Sequence, residues 1–167
     1  MLQGLRIIYL SQMETFIIDI VAWFLIHIGI ALVIERLPIQ YFTFDTFLYR
    51  IRNWEKNGAI WGKWFKVKAW KSRIPDGRNV IGKGFEKKQL SEKNKPYLQQ
   101  FILESRRAEL THWISIVPAP FFFLWNPPWA GWVMVIYALL FNLPIIMAQR
   151  YNRPRIQRIV KRLDNKK

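Results

Sequence analysis

Hydrophobic and polar positions along this chain fall into long blocks. Residues 16–34, FIIDIVAWFLIHIGIALVI, are apolar apart from Asp19 and His27. At ~1.5 Å per residue the run covers roughly 28 Å, enough for a bilayer core. It is too long for a signal-peptide core, no small-residue cleavage pattern follows, and Glu35-Arg36 closes it, so it reads as an uncleaved anchor. Residues 113–125, WISIVPAPFFFLW, are too few to span comfortably, and Pro118 and Pro120 break their helical ladder. Residues 129–148 form a full-length span kinked near Pro144. Asn126-Pro127-Pro128 is a turn, so the second and third segments pair as a hairpin. Starting the second helix near Arg106 makes it long enough and puts Glu109 and His112 at headgroup level.

Between the apolar blocks lie basic ones. Residues 45–108 carry a net charge of +10 and residues 149–167 a net of +7, whereas 109–148 hold a single charge, Glu109. Lys and Arg stay on the cytoplasmic side, and both basic blocks flank the hairpin. The pattern predicts an all-α integral membrane protein with three transmembrane helices, about 16–34, 106–125 and 129–148. Its N-terminus is outside and its C-terminus inside. The 167 residues are expected to form one membrane domain, multi-pass in the cell membrane. A re-entrant 113–125 segment is the alternative, but it would put the basic blocks on opposite sides.

Two amphipathic interfacial helices are expected on the cytoplasmic side. Trp54, Gly58, Trp61 and Phe65 share a helical face, with Lys56, Lys63 and Lys66 interleaved. In the basic tail, Ile156, Ile159, Val160 and Leu163 make a second apolar stripe, with Pro154 in its first turn. Lys66 to Lys71 alternates like a strand, Pro75-Asp76-Gly77 is a turn, and 77–95 reads as a polar loop.

Composition sharpens this. The chain is 51% hydrophobic and 16% aromatic, yet its formal charge is +15. A nucleic-acid partner would explain the charge but not the apolar runs. Membrane lipid is the expected partner. There is no cysteine, which removes disulfides and thiol chemistry. No internal repeat, HExxH, paired metal-ligand spacing or Gly-rich phosphate loop is present, so no metal and no bound cofactor is expected.

Three polar constellations could carry chemistry. In ESRRAELTHW, residues 104–113, Glu109 and His112 stand at i and i+3, so a carboxylate could orient an imidazole acting as general base. A charged helix end braced by Glu104, Arg107 and Glu109 is the plainer reading. In QRYNRPR, residues 149–155, three arginines, Arg150, Arg153 and Arg155, with Tyr151 and Asn152 leave the third span beside the start of the second helix. They are candidates for binding donor phosphates, with Arg107 and Asn142 added as substrate contacts. The plainer reading is a set of positive-inside anchors. Asp19, Trp23 and His27 line one face of the first span, and His27 could simply hydrogen-bond Asn142 or a backbone group.

EKNGAIWGKWFKVKAWKSRIPDG at 55–77, RRAELTHWISIVP at 106–118 and NLPIIMAQRYNRPR at 142–155 resemble the glycosyl-4,4′-diaponeurosporenoate acyltransferases. The resemblance runs from about residue 38 onward. It implies the last step of staphyloxanthin-type carotenoid synthesis at the cytoplasmic membrane. There a fatty acyl group passes to the primary hydroxyl of the glucose on a glycosyl C30 carotenoid. The donor it implies is acyl-CoA or acyl carrier protein. The resemblance assigns no catalytic residues; from the polar constellations themselves, His112 is expected to deprotonate the sugar hydroxyl, Glu109 to orient His112, and Arg150, Arg153 and Arg107 to bind phosphate or the oxyanion. An acyltransferase of another glycolipid, or a non-catalytic lipid-binding or scaffold protein, are the competing functions.

Overall fold

In the computed structural model, residues 6–74 and 95–165 are described. The expected turn at Pro75 and the polar loop up to residue 94 lie outside them. The described residues are helical, with no strand among them. The α-helices are α1 (Gln12–Arg36), α2 (Ala59–Lys63), α3 (Val67–Trp70), α4 (Lys95–Ile116) and α5 (Pro128–Asp164), with 3-10 turns between them. The chain divides into two compact units: Met1–Arg36 with Thr111–Pro144, and Leu37–Leu110 with Ile145–Lys167.

The first unit is built on α1. Trp23 stacks on Phe122, with ring centroids 4.6 Å apart, and its indole nitrogen faces the Met134 sulfur at 3.2 Å. One turn on, His27 packs against Tyr137 and Phe141. Contacts that advance together along both helices mean α1 and the first half of α5 run in the same direction. Asp19 is buried and accepts from Trp125 Nε1 and Asn126 Nδ2, each at 2.8 Å, which fixes the turn before α5. The backbone amides of Ile7 and Ile8 donate to Leu124 O, so the chain entering α1 lies beside that same turn. As the prolines foretell, α4 stops at Ile116, and residues Ala119–Leu124 continue as a 3-10 turn.

Two helices, α1 and α5, are long and apolar enough to cross a membrane. Only 17% and 28% of their most apolar windows is buried, so neither is the core helix of a globule. Phe16, Ile20, Phe24, Trp132, Ile136 and Leu140 all face outward. The segment 106–125 is not one helix, and among the described residues two helices qualify as spans.

The second unit departs from the sequence expectation in three places. Residues 54–65 are not one amphipathic helix. Lys56, Asn57 and Gly58 take positive φ and separate a 3-10 turn from α2, and Lys66 does so again before α3. Gly58 is required there: at φ 78°, an added Cβ would stand 2.7 Å from Arg150 O and 3.3 Å from Pro154 Cγ. Residues 67–70 are helical, not strand-like, because Val67 turns into the core against Ala148 and Tyr151.

The third departure is the tail. α5 continues unbroken through Pro144 and Pro154 to Asp164, 37 residues in all. A proline inside a helix costs about 3 kcal/mol, and packing on both sides of Pro154 offsets it. Ala148 and Tyr151 are buried before it and Ile156 after it. The apolar stripe expected to meet lipid packs instead on α4: Ile156 clusters with Leu98 and Phe101, flanked by Val160 and Leu163.

Candidate active site

The second unit is organised around buried charge. Glu109 and Arg153 are fully buried, as is Glu55 in the 3-10 turn Asn53–Glu55. Glu109 accepts from Arg150 Nε at 2.7 Å and from Arg153 Nη1 at 2.6 Å. Arg150 Nη1 reaches Glu55 at 2.6 Å, and its Nη2 reaches Leu48 O at 2.6 Å. Arg153 Nη2 donates to Tyr49 O at 2.7 Å. Glu55 also accepts from Trp61 Nε1 at 2.8 Å and from the Arg52 amide at 2.9 Å. Two carboxylates thus balance two guanidinium groups, with carbonyls taking further N–H groups. The charges are matched in number, while Arg153 Nε is buried without a hydrogen-bond partner. Burial, with the Glu109 charge second, pushes the Tyr49 phenol up and keeps it neutral.

The structure therefore brings Glu109 together with Arg150 and Arg153, as their places in the sequence suggest. It spends both arginines on carboxylates and carbonyls, where the sequence offered them to donor phosphates. Arg107 pairs with Glu104 at 3.3 Å and donates to Leu37 O at 3.1 Å. Arg106, not singled out from sequence, is buried and clamps Phe42 O, Thr43 O and Asp45. Glu55 was likewise missed. Its one signal is that it is an acidic residue inside a strongly basic block. Tyr151 and Asn152 lie apart from the Glu109 network's hydrogen bonds: Asn152 Oδ1 accepts from Lys71 at 2.6 Å, and Arg155 stacks on the Tyr151 ring at 3.5 Å.

In the first unit, His112 Nδ1 meets Asn142 Oδ1 at 2.8 Å. The roles in this contact can be deduced. Asn142 is fully buried, and its Nδ2 donates to Ala138 O at 2.8 Å. A carbonyl only accepts, so the amide nitrogen must face it and the amide oxygen must face the imidazole. His112 Nδ1 then carries the proton, and Nε2 is the basic nitrogen. Asn142 stands at Nδ1 of the imidazole that Glu109 is expected to orient. It does not bond His27, whose Nε2 is buried with no hydrogen-bond partner and whose ring stacks on Trp23.

Beside α1, Gly29, Ile30, Val33 and Ile34 with Ile114 line an open, wholly apolar groove of about 200 Å³. A Cβ added at Gly29 would meet nothing within 4 Å. No group of His, Asp or Glu among the described residues could hold a metal ion.

No solved structure matches the chain. Residues 45–162 match the family described as glycosyl-4,4′-diaponeurosporenoate acyltransferase. The enzyme of that name from Staphylococcus aureus (strain Newman) is 36% identical over 144 residues, covering 86% of this chain and 87% of the relative. Its counterpart from strain bovine RF122 / ET3-1 is 36% identical over 139 residues, covering 83% and 84%. With buried acid–arginine pairs, an oriented imidazole and this match over most of its length, the chain belongs to the glycosyl-4,4′-diaponeurosporenoate acyltransferase family and is an acyltransferase.

Proposed function

We propose that the protein transfers a fatty acyl group to the primary hydroxyl of the glucose on a glycosyl C30 carotenoid, with His112 as general base. The observation that carries the base assignment is the Asn142 amide, which fixes Nε2 as the basic nitrogen. The hydroxyl gives its proton to Nε2 as its oxygen attacks the thioester carbonyl of acyl-CoA or acyl carrier protein. The tetrahedral intermediate collapses, the C–S bond breaks, and the thiolate leaves with the proton from the imidazolium. The products are the ester and the free thiol. Asn142 is a positioning residue, holding the ring in one tautomer. Glu109, Arg150 and Arg153 act by building the second unit.

The same reading places the protein in the cell membrane. The residues before α1 and the turn ahead of α5 lie together at one end of the first unit, and we place that end outside. The segment about 106–125 makes the third crossing, the end of α4 being continued by a 3-10 turn. The basic blocks and the active site then face the cytoplasm, in keeping with the positive-inside rule.

The direct test is mass spectrometry of purified protein in nanodiscs given acyl-CoA and a glucosylated carotenoid acid. The expected product is the glucose 6-ester, and no acyl transfer to any sugar hydroxyl would overturn the reading. The apolar groove at Gly29 is the proposed seat of the acyl chain. Gly29→Leu should fill it without a clash and shift preference toward shorter acyl donors. The expected discrimination is about fourfold per methylene displaced, read by competing donors of different length.

A further inference from the structure

Most buried or half-buried arginines of the second unit are matched to a carboxylate. One group of cations is not. Lys71 Nζ donates to Asn152 Oδ1 at 2.6 Å and stands 5.0 Å from the centroid of the Tyr151 ring. Arg155 lies over that same ring at 3.5 Å and donates to Tyr151 O. Among the described residues, no carboxylate pairs with Lys71 or Arg155. Lys68, one helical turn before Lys71, adds a third positive charge, and Lys71 feels it.

The platform under these cations is built. Tyr151 is 7% exposed, and its ring fits against Gly62 so closely that an added Cβ there would stand 2.8 Å from Cε2. Val67, Trp61, Trp70 and Met147 pack around it. The ring therefore cannot swing away to relieve the repulsion between Lys71 and Arg155. Burial first, then the Arg155 and Lys68 charges, push the Lys71 ammonium below its ordinary range. Half-buried cations held near one another are destabilised when alone, and a multiply charged anion offsets that.

We propose that Lys68, Lys71 and Arg155, with Asn152, form a binding site for a phosphate ester. The site takes over the role that the sequence suggested for Arg150 and Arg153, whose donors are already spent on Glu109 and Glu55. Two sources supply that chemistry: the phosphates of a coenzyme A donor, or the headgroup of an anionic phospholipid. The first source rests on the acyltransfer reading; the cation site itself does not.

The test measures binding, not turnover. Purified protein in phosphatidylcholine nanodiscs is titrated with coenzyme A by calorimetry. In a second arm, detergent-solubilised protein is floated with vesicles of phosphatidylcholine alone or mixed with phosphatidylglycerol. Lys71→Met and Arg155→Gln should each weaken one of these ligands about tenfold, while Lys71→Arg keeps affinity within about threefold, as expected of a charge-assisted contact. Loss in the coenzyme A arm assigns the donor, and loss confined to the phosphatidylglycerol arm assigns a lipid headgroup. Thermal melts of both variants check the fold, so the second substitution serves if the first unfolds. The inference is overturned if folded variants match wild type in both arms. Lys71-dependent coenzyme A binding without any acyl transfer would retire the proposed reaction and leave the site standing.

Discussion

Glu109→Leu is expected to lower the melting temperature by roughly 6–20 °C, followed by tryptophan fluorescence in detergent. The carboxylate is fully buried and is the shared acceptor of Arg150 and Arg153. Removing one partner from a buried pair leaves the other charge uncompensated, at a cost of about 3–5 kcal/mol. For a chain of this size each kcal/mol moves the midpoint by about 2–4 °C. Arg150 keeps Glu55 and Leu48 O after the change, whereas Arg153 keeps only Tyr49 O. The double variant Glu109→Leu, Arg153→Met should therefore recover part of the loss, because it removes the stranded charge as well. Equal melting temperatures for wild type and Glu109→Leu would mean that the network contributes nothing to the fold.

His112→Gln has the opposite expected signature. Acyl transfer should fall by about 10²- to 10⁴-fold, the usual worth of a positioned general base. The melting temperature should move only by a few degrees, since His112 is partly exposed and one polar side chain replaces another. Steady-state acylation of the glucosyl carotenoid, with donor saturating, reads the first quantity. The loss should appear in kcat, because the proton is moved in the transition state and not on binding.

Much of the frame was legible in the sequence. The apolar runs gave the three segments of the first unit, and Pro118 and Pro120 gave the end of α4. The meeting of Glu109 with Arg150 and Arg153 followed from folding one hairpin back on itself. Less local features were not legible. Glu55 joins the network from a distant segment, and nothing in its spacing announces that. Positive φ at Lys56 and Lys66 is invisible because lysine rarely takes it, although Asn57-Gly58 is a familiar turn pair. The amphipathic stripe of the tail predicts a helix lying on lipid. Such a stripe shows that a partner exists, not that the partner is lipid, and here it is Leu98 and Phe101. Proline 154 suggested a helix start because its cost is local, whereas the packing that offsets it is tertiary.

The orientation of His112 illustrates the same division. An i,i+3 carboxylate was the nearest candidate along the helix, yet the group at Nδ1 is Asn142, thirty residues away. Asn142 can play this part because Ala138 O fixes which end of its amide points at the ring. A sequence shows that an asparagine lies in an apolar run; it does not show which way the amide faces.

The most direct measurement is the single-turnover rate of acyl transfer per folded molecule for wild type, His112→Gln and Glu109→Gln, with radiolabelled acyl-CoA and the folded fraction fixed by near-UV circular dichroism. The expected result is a rate lowered by at least about a hundredfold in His112→Gln and within a few-fold of wild type in folded Glu109→Gln. A His112→Gln rate close to wild type, or an equal collapse in folded Glu109→Gln, would contradict the assignment of His112 as the base and of Glu109 as a structural ion.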